Sequence, residues 1–155
     1  MAVTSLTTFI EIRDANDRVR YRYQNSQVGS RITLNGQSYS YLSFIYQGAA
    51  KNRTGDNLEA GLILSSNWLA TGIARQAVDE RWRVRVDTCV MTDSFAVSRT
   101  LTTEFWICAT LAYDETTVDI VLSSAIDAVG LSAPTRVLET ALVGALPITG
   151  SIRNI

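Results

Sequence analysis

Hydrophobic and polar residues alternate with a period of two along most of the chain, which is typical of β-strands that bury one face. The alternation is regular over residues 18–23 and 81–91. Residues 6–12, 105–113 and 118–122 alternate less regularly but favour strands because they are rich in β-branched and aromatic side chains. The pattern predicts a mainly β protein whose successive strands are antiparallel, with Trp82, Val84 and Val86 directed into the core.

Turn signals separate these strands and predict hairpins. Asn35-Gly36 is the strongest signal, because both central positions of a type I′ turn need positive φ. It joins residues 32–34 to a predicted strand over residues 38–44. Residues 14–17 and 114–117 are Asp- and Asn- or Thr-rich and predict two further turns.

One segment has helical rather than strand periodicity. Ser65, Ser66 and Asn67 offer N-capping groups before residues 68–78, which predicts a short helix there. Gly72 weakens this helix by about 1 kcal/mol relative to alanine. The apolar residues at helical spacing are Trp68, Leu69, Ile73, Ala77 and Val78.

Two stretches carry no strand pattern. Residues 48–58 combine glycine, asparagine and charge, and predict an exposed loop that holds the only lysine, Lys51. Residues 125–129 are compatible with a helical turn. Two prolines interrupt the sequence after it, so the pattern predicts a β domain over residues 1–140 and a C-terminal arm over residues 141–155.

Length and composition restrict the class of protein. The 155 residues, of which 46% are hydrophobic and 19% charged, fit one domain with a buried core. No apolar run approaches 18 residues, and the first residues lack the pattern of a signal peptide, so we expect synthesis in the cytoplasm. The net charge of −1 gives no global reason to bind nucleic acid or an anionic membrane.

The residue types needed for catalysis are mostly missing. The chain has no histidine, which removes the commonest general base and every Ser-His or Cys-His arrangement. No phosphate-binding or metalloprotease motif occurs, and acidic pairs such as Asp79 and Glu80 fall at predicted turns or helix ends. We therefore expect a protein that is not an enzyme and holds no cofactor, with Cys89 and Cys108 as reduced core thiols.

Two groups of arginines stand at every second position of predicted strands, so each group projects from one face. Such a row favours contact with phosphate or with an acidic partner. We prefer the interpretation that it is a solvated or salt-bridged strand face, or an ion-paired subunit interface, because surface charge mostly serves solubility and the steering of interfaces. The chain has 13 arginines against one lysine, which favours an oligomer because interfaces are rich in arginine and poor in lysine. The rows are Arg18, Arg20 and Arg22, and Arg81, Arg83 and Arg85.

The order of the segments resembles a known family. A strand pair is followed by ITLNGQSYSYLSFIYQG, then by LEAGLILSSN, then by WLATGIARQAVDERWRVRVDTCVM. This order is similar to the N-terminal, tail-tube-like domain of bacteriophage minor tail proteins of the lambda L type. The block that begins FWICATLAYDETTVDIVLSS also resembles that family in two hairpin strands and in a following segment with Ser124, Asp127, Pro134 and Arg136.

The resemblance implies an antiparallel β-sandwich or barrel with one packed helix. It implies a structural component of the virion tail, made in the host cytoplasm, that forms a trimeric or hexameric ring at the tail tip or baseplate. Tail tube and hub proteins would be its neighbours, and DNA would pass through the lumen without specific binding. The chain lacks the cysteine-rich C-terminal region that holds an iron-sulfur cluster in that family, so no metal is implied.

The same resemblance suggests where subunits meet. Residues 51–57 correspond to a long loop that reaches a neighbouring subunit, so Lys51 and Arg53 join the two arginine rows as candidate interface residues. The alternatives are a soluble β-sandwich binding module, which would remain monomeric, and a nucleic-acid-binding β-barrel. The last predicts an affinity that falls steeply with salt.

Overall fold

The computed structural model describes residues 5–50 and 59–124. Within these residues the chain forms nine strands and one helix, which confirms a mainly β fold with one short helix. The strands are β1 (Ser5–Arg13), β2 (Val19–Gln24), β3 (Ile32–Leu34), β4 (Gln37–Tyr41), β5 (Phe44–Ala50), β6 (Glu59–Ser65), β7 (Arg83–Met91), β8 (Val97–Tyr113) and β9 (Thr117–Ser123), and the helix is α1 (Trp68–Asp79).

All the described strands belong to one sheet, in the order β3-β4-β2-β1-β7-β8-β9-β6-β5. The expected antiparallel hairpin β1–β2 and meander β7–β8–β9 are both present. One pair departs from the expectation, because β2 and β4 run parallel where their residues 23–24 and 40–41 meet. The result is a mixed, open sheet rather than a wholly antiparallel one.

The sheet is rolled around its inner face. Only Leu42 and Ser43 separate β4, near one end of the sheet, from β5 at the other end. In a flat sheet these two strands would be about 34 Å apart, whereas the three Cα–Cα steps from Tyr41 to Phe44 span about 11 Å at most. The two ends of the sheet must therefore approach each other, although the ladder does not close.

A hydrogen bond across the interior agrees with this rolled shape. The Tyr46 hydroxyl, on β5, donates to a carboxylate oxygen of Glu104 on β8, which lies three strands away along the sheet. Burial of the phenol, together with this hydrogen bond to a carboxylate, raises the pKa of Tyr46 well above its usual range.

The main core fills the inner face, and the predicted core residues Trp82, Val84 and Val86 are almost fully buried there. Helix α1 packs against β8 and β9 through a face of small residues, which allows a close approach. Asn67 caps the helix as predicted, since its Oδ1 accepts a hydrogen bond from the Ala70 amide at 2.7 Å. The helix residues in this core are Ala70, Ile73, Ala74 and Ala77.

Two of the apolar helix residues do not lie on the buried face. Trp68 is 86% exposed and Leu69 is 39% exposed. Successive helix residues are rotated by 100°, so Trp68 stands almost opposite Ala70, the first residue of the buried stripe. Trp68 therefore lies outside the packed face of α1, although it recurs at helical spacing with Ile73 and Ala77.

A second, smaller core lies on the outer face of the sheet. The β3–β4 hairpin covers part of β1 and β7 there, and the Phe9 and Tyr39 rings meet edge to face at 5.2 Å. The hairpin turns at Asn35 and Gly36, which have φ of 50° and 75°, as the sequence predicts. As a result, β1 is buried on both faces over residues 9–12. The remaining members of this core are Ile32, Leu34, Cys89 and Met91.

Several boundaries differ from the predicted ones. The predicted strand over residues 38–44 is divided between β4 and β5, and β8 begins at Val97 rather than at residue 105. Cys89 and Cys108 are free and buried, as expected, and burial raises the pKa of the Cys108 thiol to about 12. Predictions for the loop around residue 51, the segment 125–140 and the arm 141–155 lie outside the described residues.

Candidate subunit interface

The sheet places the two arginine-bearing strands on either side of β1. In β1, Glu11 is in register with Arg22 of β2 and with Arg85 of β7. Residues that stand opposite each other in neighbouring strands project from the same face. Three strands thus bring arginines from both rows to a single carboxylate on the outer face of the sheet.

Glu11 lies at the centre of this arrangement. Its side chain is only 5% exposed, and its two oxygens accept hydrogen bonds from Arg13 Nε at 2.7 Å and Arg22 Nε at 2.9 Å. Burial alone would raise the pKa of the Glu11 carboxyl, but the two guanidinium groups outweigh burial and hold the pKa below its ordinary value. Glu11 is therefore a carboxylate at neutral pH.

Asp14 plays a similar part in the turn that joins β1 to β2. Its carboxylate accepts a hydrogen bond from the Arg18 amide at 3.0 Å, another from the Asn16 amide at 2.9 Å and a third from Arg20 Nε at 3.0 Å. These bonds, that from the Arg18 amide above all, lower the pKa of Asp14. Arg18 takes part in this turn through its backbone amide. The residue is exposed and lies directly before β2.

Asp87 is the third buried carboxylate of this face. Arg85 approaches it with Nε 3.0 Å from Oδ2 in an ion pair, and the Arg85 Nη2 donates to Oδ1 at 3.3 Å. The Thr103 hydroxyl of β8 also donates to Asp87. The guanidinium of Arg85 lies 5.9 Å from the centre of the exposed Phe105 ring, so an aromatic residue shields this ion pair from one side.

Arg20 and Arg83 keep more contact with solvent. Their side chains are 51% and 59% exposed, and the distance from Arg83 Nη1 to the exposed Asp17 is 3.8 Å. An exposed ion pair of this kind adds little stability. Arg81 has positive φ in the turn between α1 and β7, so it does not stand in the strand with the rest of its row.

The two rows therefore form the salt-bridged strand face that the sequence favoured. Arg20, Arg22 and Arg85 are engaged by the buried carboxylates of Asp14, Glu11 and Asp87, while Arg83, whose partner Asp17 is exposed, remains accessible to a neighbour. Lys51 and Arg53 lie outside the described residues. The sequence reasoning missed the carboxylates, although a charged residue at position 11, inside an otherwise buried apolar strand, is a usable signal of a paired charge.

An exposed strand edge is the second feature of this surface. Over residues 97–106, β8 pairs with β7 on one side and with no other described strand on the other, because its pairing with β9 begins at Ile107. Leu101 and Phe105 are exposed along this part of the strand. A long edge of this kind is a template for pairing with another chain.

The site offers little for chemistry other than binding. Residues 5–50 and 59–124 hold no group of three side chains suited to a metal ion, and no helix there is long and apolar enough to cross a bilayer. No protein-family model and no curated protein matches the sequence. The function must therefore be argued from the surface itself.

Proposed function

We propose that the protein is a structural subunit of a bacteriophage tail tip or baseplate. Copies of it assemble into a ring that connects the tail tube with the hub and surrounds the channel for DNA. The mainly β fold with one packed helix agrees with what the resemblance to lambda L type minor tail proteins implies. The observation that carries the proposal is the edge of β8 over residues 97–106, with which no described strand pairs.

The edge of β8 would form the contact between subunits, and the charged outer face of the sheet would set their relative orientation. A neighbouring strand would add to β8 by main-chain hydrogen bonds, beside the exposed Leu101 and Phe105 side chains. Arg83, whose ion pair with Asp17 is exposed, would pair with a carboxylate of the neighbour, while Arg20, Arg22 and Arg85 keep their internal partners. The arginine rows would thus stabilise the subunit through internal ion pairs and also take part in its assembly.

The test is the mass of the purified protein by light scattering over a tenfold range of concentration. We expect a closed trimer or hexamer for the wild type, and a monomer for the double variant Leu101→Lys/Thr102→Lys, because lysine on an edge prevents pairing. A matched control puts the same two lysines at the exposed turn residues Ala15 and Asn16 and should leave the oligomer intact.

A binding module is the alternative function, and a groove of about 600 Å³ beside β3 favours it. A module of this kind works as a single copy. A wild-type protein that stays monomeric at the highest concentration would contradict self-assembly into a ring and support the module.

A further inference from the structure

The groove lies between the edge strand β3 and the start of β8. Consecutive residues form its two walls, 31–35 on one side and 95–100 on the other. Successive side chains of a strand point to opposite faces, so a wall built from consecutive residues is a strand edge rather than a sheet face. Among the described strands, β3 pairs only with β4, which leaves its other edge open toward the groove.

The groove borders the second core. Ile32 and Leu34 are buried beneath it, and Val97 packs against the same cluster from β8. Phe95, at the rim, is 48% exposed. An extended segment in the groove would therefore meet the exposed Phe95 ring at the rim while its backbone followed the edge of β3.

The charged side chains among the described residues of the groove are all positive. Arg31 and Arg99 stand on its opposite walls, and neither makes an ion pair with a described residue. Among residues 5–50 and 59–124, no carboxylate lines the groove. This differs from the outer-face arginines Arg22 and Arg85, which are held by Glu11 and Asp87. Two unpartnered guanidinium groups are suited to carboxylates that arrive with a ligand.

We propose that this groove binds an extended, acidic peptide segment of a partner protein, which adds as a strand to the edge of β3 and pairs its carboxylates with Arg31 and Arg99. Main-chain hydrogen bonds would provide affinity and the two arginines would select the sequence. The open strand edge favours a peptide over a polynucleotide, because a sugar-phosphate backbone cannot continue a β-ladder. The proposal does not depend on ring assembly through β8.

The test uses the full-length, ¹⁵N-labelled protein and an acetylated, amidated Thr-Glu-Val-Glu-Thr peptide. We expect saturable shifts of the amide signals of residues 31–35 and 95–100. The variant Arg31→Gln/Arg99→Gln should bind the peptide at least about tenfold more weakly, since each lost contact involves a charged group. Arg75→Gln is the matched control, because Arg75 is exposed on α1 outside the groove.

Three results would overturn the proposal: shifts that do not saturate, an unchanged dissociation constant in the double variant, or equal binding of the peptide with lysine in place of glutamate. Oligothymidylate that shifts these amides when the acidic peptide does not would overturn it as well. Light scattering on the same samples distinguishes failure of this proposal from failure of the proposed function. A monomer that binds the peptide supports the peptide-binding groove and contradicts assembly into a ring.

Discussion

A carboxylate buried within a strand is costly unless cations surround it and satisfy its oxygens. Glu11 meets this condition because Arg13 and Arg22 each donate to one of its oxygens. The cluster joins β1 to β2 by side chains in addition to the ladder. Its removal should therefore weaken the fold rather than only change the surface.

We predict that Glu11→Gln lowers the free energy of unfolding by about 2–3 kcal/mol. The expected loss lies below the roughly 3–5 kcal/mol typical of breaking a fully buried pair, because Arg13 and Arg22 are about a third exposed. Urea unfolding measures it. Asp17→Asn is the control, since Asp17 is exposed and its ion pairs should contribute less than about 0.5 kcal/mol. Equal losses in both variants would contradict the central position of Glu11.

Stability should also depend on pH through the same groups. The pKa values of Glu11 and Asp14 are lower in the folded protein than in the unfolded chain, where they are about 4.3 and 3.9. Their contribution is thus complete above the unfolded values and is lost as pH falls through the folded ones. Urea midpoints between pH 7 and pH 2 should show this loss, and Glu11→Gln should reduce it. An identical pH dependence in that variant would contradict the assignment.

The two tryptophans Trp68 and Trp82 provide a further contrast between single residues. Trp82 is 1% exposed in the main core, so Trp82→Ala should cost about 3–5 kcal/mol. Trp68 is 86% exposed, so Trp68→Ala should change the stability of the monomer by less than about 0.5 kcal/mol. Thermal or urea unfolding compares them directly. An unchanged melting temperature for Trp82→Ala would mean that Trp82 is not a core residue.

At the scale of elements, local pattern predicted most of the strands. The alternation agrees with the structure over residues 83–91, as does the Asn35-Gly36 turn, because each depends on neighbours within a few residues. The division of residues 38–44 between β4 and β5 was not predicted, although SYSYLSF carries a signal of it: the alternation changes phase at the adjacent apolar residues Tyr41 and Leu42, where β4 ends. The chain changes position in the sheet at Leu42 and Ser43 for reasons of long-range packing.

The start of β8 escaped prediction for a different reason. Residues 98–103 are all exposed, so neither face of this part of the strand has an apolar period. The candidate interface could also be predicted only in part. The sequence indicated that Arg20 and Arg22 share a face, as do Arg83 and Arg85, but it could not indicate that β1 lies between them and supplies Glu11.

The capping of α1 is a prediction that belongs to this scale. Asn67→Ala removes the acceptor of the Ala70 amide and should destabilise the protein by about 1 kcal/mol. Asn67→Asp should restore most of this stability, because aspartate caps equally well. Urea unfolding of the two variants distinguishes the cap from any other role of this position. Equal losses in both would contradict capping by the side-chain oxygen.

For the whole molecule, the rolled sheet protects its inner face and leaves backbone edges open to other chains. The main core is enclosed by the sheet and α1, and the second core by the β3–β4 hairpin. The edge of β8 over residues 97–106, which pairs with no described strand, and the groove beside β3 meet at residues 97–100, which also form part of one groove wall. We propose that the edge of β8 joins copies of the subunit and that the groove beside β3 receives an acidic segment of a partner.

The central claim is that β8 pairs with another copy of the chain over residues 97–106, and amide hydrogen exchange tests it most directly. In an isolated subunit, about every second amide of this segment points away from β7 and should exchange rapidly. In the assembled protein at high concentration these amides should become protected, while amides of α1 exchange as before. Equal exchange of residues 97–106 at low and high concentration would contradict the account.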